Sequence, residues 1–199
     1  MPRTVDRDRR RDELVAATGR LILDEGLAAV TLRRVAEVTG FANGAVKPYF
    51  PTKDELLHAT CRQAFERAEA RVATAVDGTT GLEALRRQWV ELLPLDDERR
   101  LEARVVTAFW EAATQDRAVA ALFAGHHERC RTRMYQHLRE GRARGEVRTA
   151  ESDETVVDEA LWLLVGLRAS VALGGDAITP RRQRMLVEKL LEHLTVPPR

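Results

Sequence analysis

Residues 31–57, TLRRVAEVTGFANGAVKPYFPTKDELL, hold the side chains whose types and spacing could do chemistry. Lys53 falls in the first turn of a helix that Thr52 would cap, with Glu55 reaching back to complete a capping box. A cation in a first turn works against the helix dipole, which suggests a second task, and a DNA phosphate would be a good partner. The alternative is a solvated surface lysine. Lys47 is a mobile charge that can reach guanine or phosphate. Pro48 lacks a backbone donor and disfavours helical geometry at Lys47, so a helix here should end near Lys47 or be distorted there.

These side chains need a frame. Thr31 is an N-cap for a short helix whose apolar positions are Leu32, Val35, Ala36 and Val38. Gly40 can take the left-handed conformation that ends a helix and turns the chain. Ala36 is small where two helices cross, and Val46 is apolar where a second short helix must face the first. The layout is that of a helix-turn-helix, whose second helix reads the DNA major groove. Spacing alone would also fit any helical hairpin.

The segment resembles the DNA-binding domain of the TetR family of bacterial transcriptional regulators. The matching run is Arg9-Arg10-Arg11 through Glu25-Gly26, then Thr31-Leu32-Arg33, Val35-Ala36, Gly40, Gly44, Tyr49-Phe50 and Lys53-Leu56-Leu57. The resemblance implies that Thr31, Arg33, Tyr49 and Lys53 contact phosphate or nearby base edges. It implies that Asn43, Gly44, Ala45 and Lys47 face the groove, and that Phe50 packs in the small core. Two departures bear on sequence preference. Ala42 stands where many members have Ser or Thr, and Lys47-Pro48 where many have Tyr-His.

The composition suits a helical protein: 12 glycines and 7 prolines in 199 residues, with few aromatics and many Ala, Leu, Glu and Arg. A hydrophobic share of 44% is enough for a packed core. The net charge is only +1, but residues 1–53 carry ten Lys plus Arg against seven Asp plus Glu, net +3, and the remainder is net −2. Positive charge is thus biased toward the end that would meet phosphates. The arginines from Arg3 to Arg11, diluted by Asp6, Asp8 and Asp12, read either as a DNA-touching arm or as a frayed start. Cys61 and Cys130 fit no disulfide framework. With no signal-peptide pattern and no apolar run of the roughly 20 residues needed to span a bilayer, the expectation is a cytoplasmic protein.

The expected fold is all-α with about nine helices. A three-helix DNA-binding domain over residues 1–52 precedes a larger helical effector-binding and dimerisation domain over residues 53–199. Helices are expected from about Arg9 to Glu25, from Lys53 to about Val76, along the stripes Leu82–Leu93 and Leu101–Ala112, from Asp116 to about Gly141, over 153–173, and after Thr179-Pro180. The helix of 153–173 is apolar nearly all round, so it needs neighbours on several sides, and Gly166, Ser170 and Gly174 would permit close approach.

The C-terminal half resembles the BetI-like branch of the same family through LWLLVGLRASVALGGDAITPRRQRMLVEKLLEHL. That likeness implies a homodimer through the last two helices, with Leu163, Gly166, Ser170, Val187, Leu190, Leu191 and Leu194 at the interface. A dimer also gives two reading heads the two-fold axis that a palindromic operator needs. The family likeness further implies a small-molecule effector among the central helices. Candidate lining residues are Trp89, Val106, Trp110, Phe123, His127, Met134 and Trp162, although any one of them taken singly is more simply ordinary core.

His126 and Cys130 share a helix face but fall short of a zinc site, so no metal or cofactor is expected. Arg139, Arg142, Arg144 and Arg148 read as a solvated helix end. No nucleophile elbow, phosphate loop or HExxH pattern is present, so no catalytic residue is assigned. The reading is a ligand-responsive transcriptional regulator, more simply a repressor, with double-stranded DNA and an effector as partners and no membrane. The alternatives are a constitutive architectural DNA-binding dimer, or a small-molecule-binding protein of the same fold that has lost specific DNA binding.

Overall fold

The computed structural model describes residues 2–42, 44–174 and 178–197. Among them there are nine α-helices, one 3-10 turn at Leu27–Ala29 and no strand. The helices are α1 Pro2–Glu25, α2 Leu32–Thr39, α3 Lys53–Val76, α4 Gly81–Glu91, α5 Asp97–Ala108, α6 Trp110–Gln115, α7 Arg117–Ala143, α8 Asp153–Ala172 and α9 Pro180–Thr195.

Local chemistry sets most of these ends. The side chains of Thr31, Ser152 and Thr179 accept from the amides of Arg34, Thr155 and Arg182, one cap each for α2, α8 and α9. Asp116 accepts from Ala118 at 2.7 Å and caps α7, and Thr52 accepts from Glu55 at 3.1 Å and caps α3. At the end of α2, Gly40 lies at φ 70°, and the amides of Gly40 and Phe41 reach back to the carbonyls of Glu37 and Ala36. That bond pair is a Schellman ending, and the left-handed residue in it favours glycine.

Three elements differ from expectation. The helix over 9–25 begins earlier, at Pro2, and Asp6 pairs with Arg9 and Arg10 one turn on. The mixed charges of the N-terminus thus support a helix through i,i+3 and i,i+4 pairs. The stripe Leu101–Ala112 is two helices. At Phe109, which is fully buried, the chain tightens to an i−3 bond with Val106 and then restarts as α6. Finally, no α-helix follows the Gly40 turn: residues 44–49 are consecutive turns.

The chain divides into two units, Met1–Phe65 with Val105–Leu122, and Glu66–Arg104 with Phe123–Arg199. In the first, Leu14, Val15, Leu21 and Ile22 of α1 meet Val35 and Ala36 of α2, with Val46, Phe50 and Leu56 buried beside them. Arg34 of α2 makes a forked pair with Glu25 at the end of α1, which ties the two helices together. The second unit packs Leu85 and Trp89 of α4, Met134 and Leu138 of α7, Val156, Ala160, Leu161 and Leu164 of α8, and Val187, Leu191 and Leu194 of α9 into one core. Its loop 145–152 is held by Arg142, which donates to the carbonyls of Thr149 and Glu151 and to Asp153. That arginine is therefore a strut and not part of a solvated helix end.

Two carboxylates inside the second unit are paired with basic groups. Glu102, 6% exposed, accepts two hydrogen bonds from Arg71, at 2.8 and 2.6 Å. Glu69 accepts from Arg129 and lies 3.0 Å from Nδ1 of His126. Burial pushes the His126 imidazole down to about 4 against the opposing pull of Glu69, and burial also lowers His127 and His137. A histidine whose pKa is lowered on folding binds fewer protons when folded than when unfolded. Its contribution to stability is full above the ordinary value of 6.5 and is lost as pH falls toward 4. Denaturant titrations at pH 7.5, 6.0 and 5.0 should show that loss, with His126 contributing at most about 1.4 kcal/mol per pH unit. His126→Gln should flatten the dependence, and an unchanged slope would rule out His126 as a source.

Candidate functional site

The geometry after Gly40 follows from one glycine and one proline. Gly44 sits at φ 91°, outside helical space. In an α-helix the Gly44 carbonyl would accept from residue 48, but Pro48 has no N–H. The Lys47 amide takes that carbonyl instead, at 3.3 Å, and Ala45 and Tyr49 make the same i−3 bonds to Ala42 and Val46. The segment is therefore a string of tight turns in place of a continuous recognition helix.

Two arginines of α1 complete it. Arg7 donates to the Pro48 carbonyl at 3.0 Å and Arg11 to the Tyr49 carbonyl at 3.2 Å. The Arg11 guanidinium also lies 4.3 Å above the Phe50 ring. Phe50 and Val46 are buried beneath, and Tyr49 meets Phe41 edge to face at 6.3 Å. Carbonyls that a broken helix would leave without donors are thus served from another helix. Arg7 and Arg11 stand four residues apart on one helix face, which is the signal that would have marked them as a pair.

The expected DNA contacts fall as follows. Thr31 is exposed and spends its side-chain oxygen on the α2 cap. Arg33 is exposed and pairs with Glu37 at 3.2 Å. Gly44 and Lys47 are exposed, while Ala45, Tyr49 and Lys53 are half-buried. Asn43 lies outside the described residues.

The residues read as effector lining do not share one setting. Val106 and Trp110 belong to the first unit, Val106 buried and Trp110 exposed. Trp89 and Met134 are sealed in the core of the second. Phe123, His127 and Trp162 form an aromatic run there, with His127 edge-on to both rings at 6.4 and 6.0 Å, and Trp162 is 59% exposed. Of the residues read as dimer contacts, Val187, Leu191 and Leu194 are buried within the protomer. Leu163, Ser170 and Leu190 are half-buried, and Gly166 is exposed. No group of His, Cys, Asp and Glu able to hold a metal is found among the described residues, and no helix there is long and apolar enough to cross a membrane.

A capped short helix, a Schellman turn and an exposed Lys47 on the turns that follow keep the frame of a helix-turn-helix, with turns in place of its second helix. Residues 14–60 match the bacterial regulatory proteins of the tetR family, and residues 81–196 match the C-terminal part of BetI-type transcriptional repressors. The chain belongs to the TetR family of DNA-binding transcriptional regulators, with a C-terminal part of the BetI type. It is 28% identical over 193 residues to the HTH-type transcriptional regulator BetI of Burkholderia ambifaria, across 89% of this chain and 96% of that one. It is 32% identical over 110 residues to the HTH-type transcriptional regulator PksA of Bacillus subtilis, a match that spans about half of each chain (55% and 54%). Its fold is shared with a putative transcriptional regulator from Saccharomonospora viridis solved with choline, with a TM-score of 0.85 at 21% identity, over 94% of this chain and 97% of that one.

Arg11→Ala removes both the donor to the Tyr49 carbonyl and the cation over Phe50. It should cost about 1–2 kcal/mol in stability. Thermal melting checks this; an unchanged midpoint would mean that the 48–50 turn does not depend on Arg11.

Proposed function

We propose that this chain is a homodimeric repressor that binds a palindromic operator through residues 1–52 and is released when a small-molecule effector binds within residues 53–199. The observation that carries the DNA reading is the frame: α2 packed on α1 and ended by Gly40, holding Lys47 exposed on the following turns. Thr31, Arg33, Tyr49 and Lys53 would grip phosphate, and Asn43, Gly44, Ala45 and Lys47 would meet the groove. The choline bound to the Saccharomonospora protein supports a small-molecule effector for this fold. The effector acts by population shift: it binds best to a conformer whose heads no longer match two successive major grooves. It weakens operator affinity by the coupling energy, typically ~1–3 kcal/mol. The absence of a membrane-length apolar helix among the described residues supports a cytoplasmic site of action.

The dimer reading rests on the outer face of α8 and the residue just past its end, where Trp162 is 59% and Leu173 77% exposed and Gly166 lies between them. Apolar surface on a helix that already supplies much of a core is what a second subunit would cover. One observation favours a second reading, a protein that keeps the fold without specific DNA recognition. Its recognition segment is turned and not helical.

Selection from a random DNA pool decides between the two. An enriched palindrome is the expected result, and no enrichment at low salt would favour the second reading. On the enriched site, Lys47→Ala should weaken binding by about 1–3 kcal/mol if Lys47 reads a base, with relaxed preference at one position. If it grips phosphate, the loss should be uniform, with the salt slope reduced by about 1. An added Cβ at Gly166 meets nothing within 4 Å, so Gly166→Glu leaves the protomer intact. Sedimentation should then show dissociation at concentrations where the parent is dimeric, and an unaltered dimer would place the interface elsewhere.

A further inference from the structure

Four arginines stand within residues 7–11 of α1, and they divide into two pairs. Arg9 and Arg10 meet Asp6 on their own helix, at 3.0 and 3.2 Å. Arg7 and Arg11 reach across instead, to the main-chain carbonyls of Pro48 and Tyr49, at 3.0 and 3.2 Å. Two successive carbonyls are thus held from one face of one helix.

The contact falls where it has leverage. Pro48 and Tyr49 directly follow Lys47, the exposed cation read as facing the groove. Within the segment itself, Ala45, Lys47 and Tyr49 are held by i−3 bonds to Ala42, Gly44 and Val46. Such turns lack the continuous i−4 ladder that makes a helix stiff, so their shape must be fixed from outside. Arg11 does this twice over, since its guanidinium also covers the fully buried Phe50 ring at 4.3 Å. Tyr49 is then held at its carbonyl by Arg11 and at its ring by Phe41.

Phosphate attraction and base reading ask different things of a protein. Attraction depends on how many cations lie near the DNA backbone, and it tolerates movement. Base reading needs donors and acceptors held within hydrogen-bonding geometry of a base edge. We infer that Arg7 and Arg11 are positioning residues for base recognition. By fixing the Pro48 and Tyr49 carbonyls they hold the groove-facing turns in one shape, and they set discrimination between DNA sequences and not the grip on phosphate. The inference rests on the operator reading proposed above and deepens it. It gives the arginine-rich start of the chain a task other than a DNA-touching arm or a frayed end.

The test uses the full chain, its enriched operator and a shuffled duplex of equal length, titrated by fluorescence anisotropy over a series of salt concentrations. Arg11→Gln should weaken operator binding by about fivefold or more, while binding to the shuffled duplex changes by less than about twofold and the salt slope is kept. A phosphate contact behaves otherwise: both affinities fall together and the slope drops by about 0.9. Partial unfolding also lowers both alike, so the ratio of the two separates positioning from loss of fold. Arg7→Gln leaves Arg11 on Tyr49 and Phe50 and should shift the ratio in the same direction. It carries the test where Arg11→Gln does not fold. Lys53→Gln, read as a phosphate contact, gives the contrast. Equal losses on both duplexes, or a reduced slope, overturn the inference. An operator that is enriched by the parent and discriminated equally well by both variants sinks this inference alone. A parent that enriches no operator overturns the operator reading, and this inference with it.

Discussion

The constraint that ties α3 to α5 within the second helical unit is the buried carboxylate of Glu102. A carboxylate out of water needs nearly all of its lone pairs served, and the two-pronged contact from Arg71 does this across α3 and α5. Removing one member of such a pair typically costs about 3–5 kcal/mol, a large part of the stability of a domain. The pairing is also exclusive. Both terminal nitrogens of Arg71 are spent on Glu102, one on each carboxylate oxygen.

The same logic of compensation governs the DNA-facing end. A proline where the helix needs a donor and a glycine at positive φ leave the 44–49 segment as turns, and the lost order returns through Arg7, Arg11 and Phe50. Arginines that could have been spent wholly on phosphate thus have a task within the protein. The consequence is a reading surface presented by turns whose shape depends on α1, so an operator cannot be carried over from a relative with a regular recognition helix.

Much of the fold was legible in the chain itself. The span of α3 from Lys53 to Val76 and the caps at Thr31, Asp116, Ser152 and Thr179 could be read because each depends on residues only three or four apart. The break at Phe109 was not legible, since the stripe Leu101–Ala112 keeps its period through it. Nor was the division of α8 and α9 into inner and outer faces. Val187, Leu191 and Leu194 have the same apolar chemistry as Leu163 or Leu190, and only their neighbours in space put them in the core.

The sequence by itself determined where helices start and stop and where the chain must turn, because caps, glycines and prolines act through bonds within one turn of backbone. It also placed the chain among the TetR-type regulators through a run of such local features. Only the tertiary structure decided which charges pair, which apolar faces are already covered, and that two arginines of α1 hold the segment expected to read DNA. Those outcomes depend on groups 30 to 60 residues apart meeting within hydrogen-bonding distance, as Arg7 does with Pro48 and Arg71 with Glu102, and no periodicity along the chain encodes such a meeting.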